Sequence, residues 1–284
     1  MTETLHVIHG EAATWSALSL VARAARGDFG PGHTVSVLGD SRCEDRAALA
    51  GVRGQPVPRT VDPLTPCIAW DREAASWCAA RGIDARGPRA DVPVDPLRIQ
   101  PARRDDIRAS MSIPDRAPVV ASFLSGGDEH VAEYIFARAA VLAVAGIPAI
   151  WIVDIEPATA AFYSKTLSQM ASDARVICRC AAPWDVLPAC DAVVLDDDGE
   201  SDDSHRQDLM GWASTFGLPI VHTAAADSER VDVRRSRFGR TRRMLSILQE
   251  LKPTLASPLA FEDAFIAFLE QMGLDGSFTN AAHS

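Results

Sequence analysis

The sequence predicts an α/β protein built from two Rossmann-like domains, the first with fewer elements than the second. Three observations carry this. Short β-branched runs alternate with segments of helical period along most of the chain. The stretch Trp184–His222 holds a complete strand-helix-strand unit, which implies a parallel pair with a crossover helix. Between residues 83 and 104 periodicity fades and prolines cluster, which marks a domain boundary. The expected division is 1–92, 93–255, and a terminal helix and tail over 256–284.

Composition bounds the class. A chain of 284 residues that is 47% hydrophobic and 23% charged can bury one large core or two modest ones. No apolar run approaches the ~18 residues a membrane span needs. The amino terminus has no basic segment ahead of a long apolar one, so no secretion signal is read there. A net charge of −10 argues against a nucleic-acid binder. The six cysteines sit mostly in apolar runs and lack metal-ligand spacing, which fits reduced core thiols of a cytoplasmic protein.

The first domain opens with a strand at Leu5–His9, a turn at Gly10, and a helix from about Thr14 to Arg26 with Leu18, Val21, Ala22 and Ala25 at helical spacing. Thr34–Leu38 alternates and reads as a second strand. The first turn has a single glycine, so the G-x-G-x-x-G dinucleotide fingerprint is absent. A short helix is expected near 43–50. Pro66–Trp70 reads as a third strand, and Asp71 caps a helix over Arg72–Arg81.

The second domain begins with a short amphipathic helix at Arg103–Met111 and a strand at Ala117–Leu124. Ser125-Gly126-Gly127-Asp128 makes a tight turn before a long helix ending at Gly146. Strands follow at Pro148–Asp154 and Ala174–Cys178, with a helix at Glu156–Ala171 between them and a short helix at Trp184–Pro188 after them. Asp191–Leu195 is a strand, and Asp196–Asp203 is a loop with six acids in eight positions. In Asp208–Phe216, Leu209, Trp212, Ala213 and Phe216 fall at i, i+3, i+4 and i+7, so a helix is expected, stopped by Gly217. Ile220-Val221 opens the last strand. Beyond it lie seven arginines within Arg230–Arg243 and two amphipathic segments.

The order of these segments resembles a GT-B-fold glycosyltransferase of the retaining type related to glycogen and sucrose synthases. The likeness is carried by VPVDPLRIQPARRDDIRASMSIPDRAPVVASFL, then GIPAIWIVD, ARVICRCAAPWDVLPACDAVVL and GLPIVHT, over roughly residues 92–222. LHVIHGEAATWSALSLVARAA resembles the opening of the family's acceptor domain, and PCIAWDREAASWCAARGI its late strand and helix. The resemblance implies transfer of a sugar from a nucleotide-sugar donor to an acceptor it does not identify, with no divalent metal required. It also implies a shortened first domain, because residues 41–65 stand where the family has several more strands and its catalytic histidine.

Candidate site residues follow from both readings. Ser125, Gly126 and Gly127 expose N–H groups at a helix start, suited to a diphosphate, or form a plain strand-helix turn. Trp184 either stacks on the donor base or belongs to the core. Gly10 and His9 lie at the end of the first strand. His9 is the candidate catalytic acid or base, or a structural histidine. Asp208 keeps, with Glu200, the eight-residue spacing of the family's two donor-site glutamates, four positions early. The family's Arg and Lys after the first strand of its second domain are absent from Ser125–His130. An inactive GT-B scaffold that binds a nucleotide sugar or a protein partner is therefore the alternative.

Overall fold

The computed structural model describes residues 3–10, 12–55, 61–62, 64–87, 92–100, 103–115, 117–123, 150–154, 176–179, 181–195 and 203–222. The described residues divide into two compact units between Arg98 and Ile99.

The first unit opens with β1 (Thr4–His9), α1 (Trp15–Arg26), β2 (His33–Leu38) and α2 (Ser41–Leu49). It continues with β3 (Cys67–Ala69), α3 (Arg72–Ala79) and β4 (Ala85–Arg86). The four strands form one parallel sheet in the order β2-β1-β3-β4. Thr14 Oγ1 accepts from Ala17 N–H and caps α1. Gly27, at φ 81°, closes the helix in the left-handed conformation. Most of α1 is buried, including Leu18, Leu20 and Val21, each worth roughly 1.5–3 kcal/mol on removal from water.

The second unit holds α4 (Arg104–Ser110), β5 (Val119–Phe123), β6 (Ile150–Asp154) and β7 (Val176–Arg179). After them come β8 (Ala192–Leu195), α5 (Asp203–Thr215) and β9 (Ile220–His222). Its parallel sheet runs β7-β6-β5-β8-β9. Every residue of β5 is buried, as expected of a central parallel strand covered on both faces. Leu209, Trp212 and Ala213 form the buried stripe of α5, and Phe216, just past its end, continues it.

Within residues 83–104, where periodicity fades, Ala85 and Arg86 pair with Cys67 and Ile68 as β4. Two local expectations are corrected. Trp184–Pro188 is not a helix but two 3-10 turns, Pro183–Asp185 and Leu187–Ala189, because Pro188 cannot donate to a continuing helix. The helix expected from Asp208 starts at Asp203. Its acidic beginning suits the positive end of a helix dipole as well as it suits a loop.

Four cysteines are free thiols buried in the core: Cys43, Cys67, Cys78 and Cys190. Among the described residues, no helix is long and apolar enough to cross a membrane. The long helices expected at 129–145 and 156–171 and the arginine-rich tail lie outside the described residues.

Candidate functional site

In an open parallel sheet, ligands bind beyond the carboxyl ends of the strands where the strand order reverses. Each unit has such a point. In the first, the chain steps from β1 outward to β2, then returns to the other side of β1 for β3. The ends at the reversal are His9 on β1 and Ala69 on β3, followed by Trp70 and Asp71. In the second, the reversal lies between β5 and β8, whose ends are Phe123 and Leu195. Ser125, Gly126 and Gly127 come two to four residues after the first of these ends in sequence and lie outside the described residues.

The first unit's reversal point is held together by hydrogen bonds. Asp71 accepts the His9 main-chain N–H at 2.7 Å through Oδ2 and caps α3 by accepting Ala74 N–H at 2.8 Å through Oδ1. Burial raises the Asp71 carboxyl above its ordinary range, against the lowering effect of these main-chain donors. The His9 carbonyl accepts Ala13 N–H at 3.0 Å, and His9 Nδ1 accepts Ala12 N–H at 3.2 Å. On the far side of the ring, Nε2 lies 4.0 Å from Cys43 Sγ. Arg46 Nη1 donates to the Gly10 carbonyl at 3.0 Å, and its guanidinium stacks 4.7 Å over Trp15.

Gly10 and Gly39 explain how α2 comes so near. A side chain at Gly10 would overlap the Cys43 main chain. One at Gly39, where φ is +113°, would overlap Cys43 Sγ. The glycine at position 10 is thus accounted for by helix packing.

Behind this edge His6, fully buried, accepts the Trp70 indole N–H on Nδ1 at 3.1 Å and lies 2.8 Å through Nε2 from His33 Nδ1. Burial, with His33 beside it, lowers the His6 imidazole to about 3.

In the second unit, Trp184 is 4% exposed and packs at 5.1 Å against Trp212, itself stacked on Phe216. A stacking platform needs an open ring face, so in this conformation Trp184 is a core residue. Asp208 is buried on α5. The turn that carries Trp184 is tied down by α4. Arg104 Nη2 meets Asp191 Oδ1 at 2.6 Å, and Arg104 Nη1 donates to the Pro188 and Cys190 carbonyls. Arg108, 3% exposed, donates to the carbonyls of Ala189, Pro114, Asp115 and Ala117. Among the described residues, no group of three or more His, Cys, Asp or Glu side chains is arranged to hold a metal.

The sequence matches no protein-family model and no curated protein. Solved structures do align. UDP-GlcNAc 2-epimerase from Neisseria meningitidis bound to UDP-GlcNAc covers 95% of this chain and 99% of its own at 10% identity, with a TM-score of 0.54. A co-structure of S. aureus MnaA with UDP covers 96% and 98% at 8% identity, with a TM-score of 0.50. This chain has the GT-B fold. E. coli ADP-heptose LPS heptosyltransferase II also aligns, at 11% identity over 87% of this chain and 99% of its own, with a TM-score of 0.46.

Two features of this site escaped the sequence reading. Asp71 is legible as a helix cap, but its bond to His9, 62 residues away, has no local signal. Cys43 reads as an apolar helix residue, and only the tertiary fold brings it to the imidazole.

Proposed function

We propose that the protein binds a nucleotide sugar and transfers its sugar to an acceptor, as a glycosyltransferase-like enzyme. The observation that supports this is the strand reversal between β5, which ends at Phe123, and β8, because open parallel sheets hold their ligands at such a point. In this reading Ser125, Gly126 and Gly127 take the diphosphate on their main-chain N–H groups, and Asp208 supports the sugar side. His9 lies on the acceptor side. The resemblance over residues 92–222 supports a kinship with the retaining glycogen and sucrose synthases. The UDP-GlcNAc and UDP bound by the two aligned structures support a uridine nucleotide as donor. Transfer proceeds without a bound metal, in the cytoplasm, where four buried free thiols are at home.

A second reading is a scaffold that binds a nucleotide sugar or a protein partner without turnover. The segment Ser125–His130 favours it, because it carries no Arg or Lys to neutralise a leaving diphosphate.

A thermal-shift screen against nucleoside diphosphates and nucleotide sugars, with and without magnesium, tests both. A ligand at ~100 times its dissociation constant stabilises the fold by about 2.7 kcal/mol. The expected outcome is a shift with UDP or a UDP-sugar that Gly127→Asp abolishes. No shift with any nucleotide sinks the donor site; a shift without turnover selects the scaffold.

A further inference from the structure

We propose that His9 is held as a fixed Nε2–H donor, so that it meets a ligand oxygen by donating a hydrogen bond and is not the proton-accepting base. The ligand's identity rests on the function proposed above; the state of the ring does not.

A neutral imidazole has one N–H and one lone pair in the ring plane. At His9 the lone pair is assigned by its surroundings. Ala12 N–H is a donor and nothing else, and it points at Nδ1 from 3.2 Å. Nδ1 must therefore be the acceptor, and the proton sits on Nε2. The backbone that carries the ring is fixed as well. Its main-chain N–H is bound to Asp71 at 2.7 Å, and its carbonyl takes Ala13 N–H at 3.0 Å. The loop after β1 thus wraps its own histidine, and the α3 cap locks the same residue from across the reversal point.

The Nε2–H faces Cys43 Sγ at 4.0 Å, a long contact to a weak acceptor. A ligand oxygen at an ordinary hydrogen-bond distance of about 2.9 Å would be a better partner. The half-buried ring lies at the strand reversal, where such a ligand is expected. The Arg46 guanidinium, 3.0 Å from the Gly10 carbonyl, adds positive charge to the same turn and favours an oxygen with anionic character. A general base needs an unoccupied lone pair directed at the proton it removes. The lone pair of His9 is directed at Ala12 instead. Deprotonation of an acceptor hydroxyl then falls to another group, and His9 acts as a positioning and charge-stabilising donor.

Long-range nitrogen–proton correlation on protein labelled with nitrogen-15 histidine tests this on the full chain. The chain has seven histidines, and the His9 signals are those lost in His9→Gln. The expected spectrum has a protonated Nε2 and an unprotonated Nδ1. A protonated Nδ1, or an averaged mixture of the two tautomers, overturns the proposal. Ala12→Pro removes the donor N–H and is expected to release the mixture; an unchanged His9 spectrum in this variant also overturns it. Turnover of UDP-GlcNAc, read as UDP release, separates donor from base. His9→Gln still offers an N–H and is expected to lose under tenfold, whereas His9→Glu, which only accepts, loses more than thirtyfold. The opposite order overturns the donor role. Absence of UDP release from the wild type counts against the transferase reading, and the nitrogen spectrum still decides the tautomer.

Discussion

His6 shows how one side chain sets a pH limit on the fold. Its Nδ1 is filled by the Trp70 N–H and its Nε2 by His33, so an added proton has no place to go. The imidazole is lowered from 6.5 to about 3. Between those values the unfolded chain binds a proton that the native protein refuses. The stability linked to His6 is therefore fully present above about pH 6.5 and is lost as pH falls toward 3. Denaturant titrations across that window are expected to show a loss of at most ~1.4 kcal/mol per pH unit from this group, and His6→Gln to lack that component. Asp71 runs the other way, because burial raises its carboxyl and its contribution to stability shrinks as pH rises through the carboxylate range. The sequence shows His6 only as a polar residue inside an apolar strand. Its partners lie 27 and 64 residues away, and no local pattern names them.

Elements were legible where periodicity is strong. α1, α3 and the stripe of α5 follow from apolar spacing and from Thr14, Asp71 and Gly217 at their ends. What stayed hidden was short or ambiguous. β4 has two residues, too few for any period to register. Asp203, the first residue of α5, suits a loop and a helix N-terminus equally. Trp184 has the chemistry of a base-stacking residue, and only packing against Trp212 marks it as core. α4 was legible as amphipathic, but not its task. Beside Ile107 it buries Arg108, whose guanidinium closes the carbonyls of two loops. Arg108→Leu keeps the bulk and removes every donor. It is expected to cost about 3–5 kcal/mol, as for other broken buried charge networks, measured as a lowered denaturation midpoint with unchanged slope.

At the scale of the whole molecule, the alternation of strands and helices gave the α/β class, and the described residues form two units divided after Arg98. The place of the division is set by a buried polar cluster. Asp95 is fully buried and accepts from Ser19 Oγ–H at 2.9 Å and Leu97 N–H at 3.1 Å. It also pairs with Arg23 at 3.4 Å. Arg98 donates to Ser19 Oγ and to the Ala50 carbonyl. These bonds fasten residues 95–98 to α1 and α2, so the first unit extends to Arg98. Asp95→Ala strips α1 of that anchor. It is expected to lower stability by at least about 2 kcal/mol, because Ser19 and Arg23 lose a buried acceptor, and to make peptide bonds after Arg98 more open to trypsin. Chemistry-bearing residues were harder to read than the fold. The proposed diphosphate turn is local and is read from three consecutive residues, whereas the surroundings of His9 draw on β1, α2 and α3 together.

The brevity of β4 has a further consequence. An exposed sheet border with a long row of open main-chain groups invites another chain to add a strand and begin a fibril. Here the border strand is two residues long and includes an exposed, charged Arg86. On the opposite border Gln55 bridges to Ser36 and donates its N–H to Val35 at 2.9 Å, occupying part of the β2 ladder. Among the described residues, neither side of the four-stranded sheet offers a foreign strand a long free template, which guards the first unit against edge-to-edge aggregation.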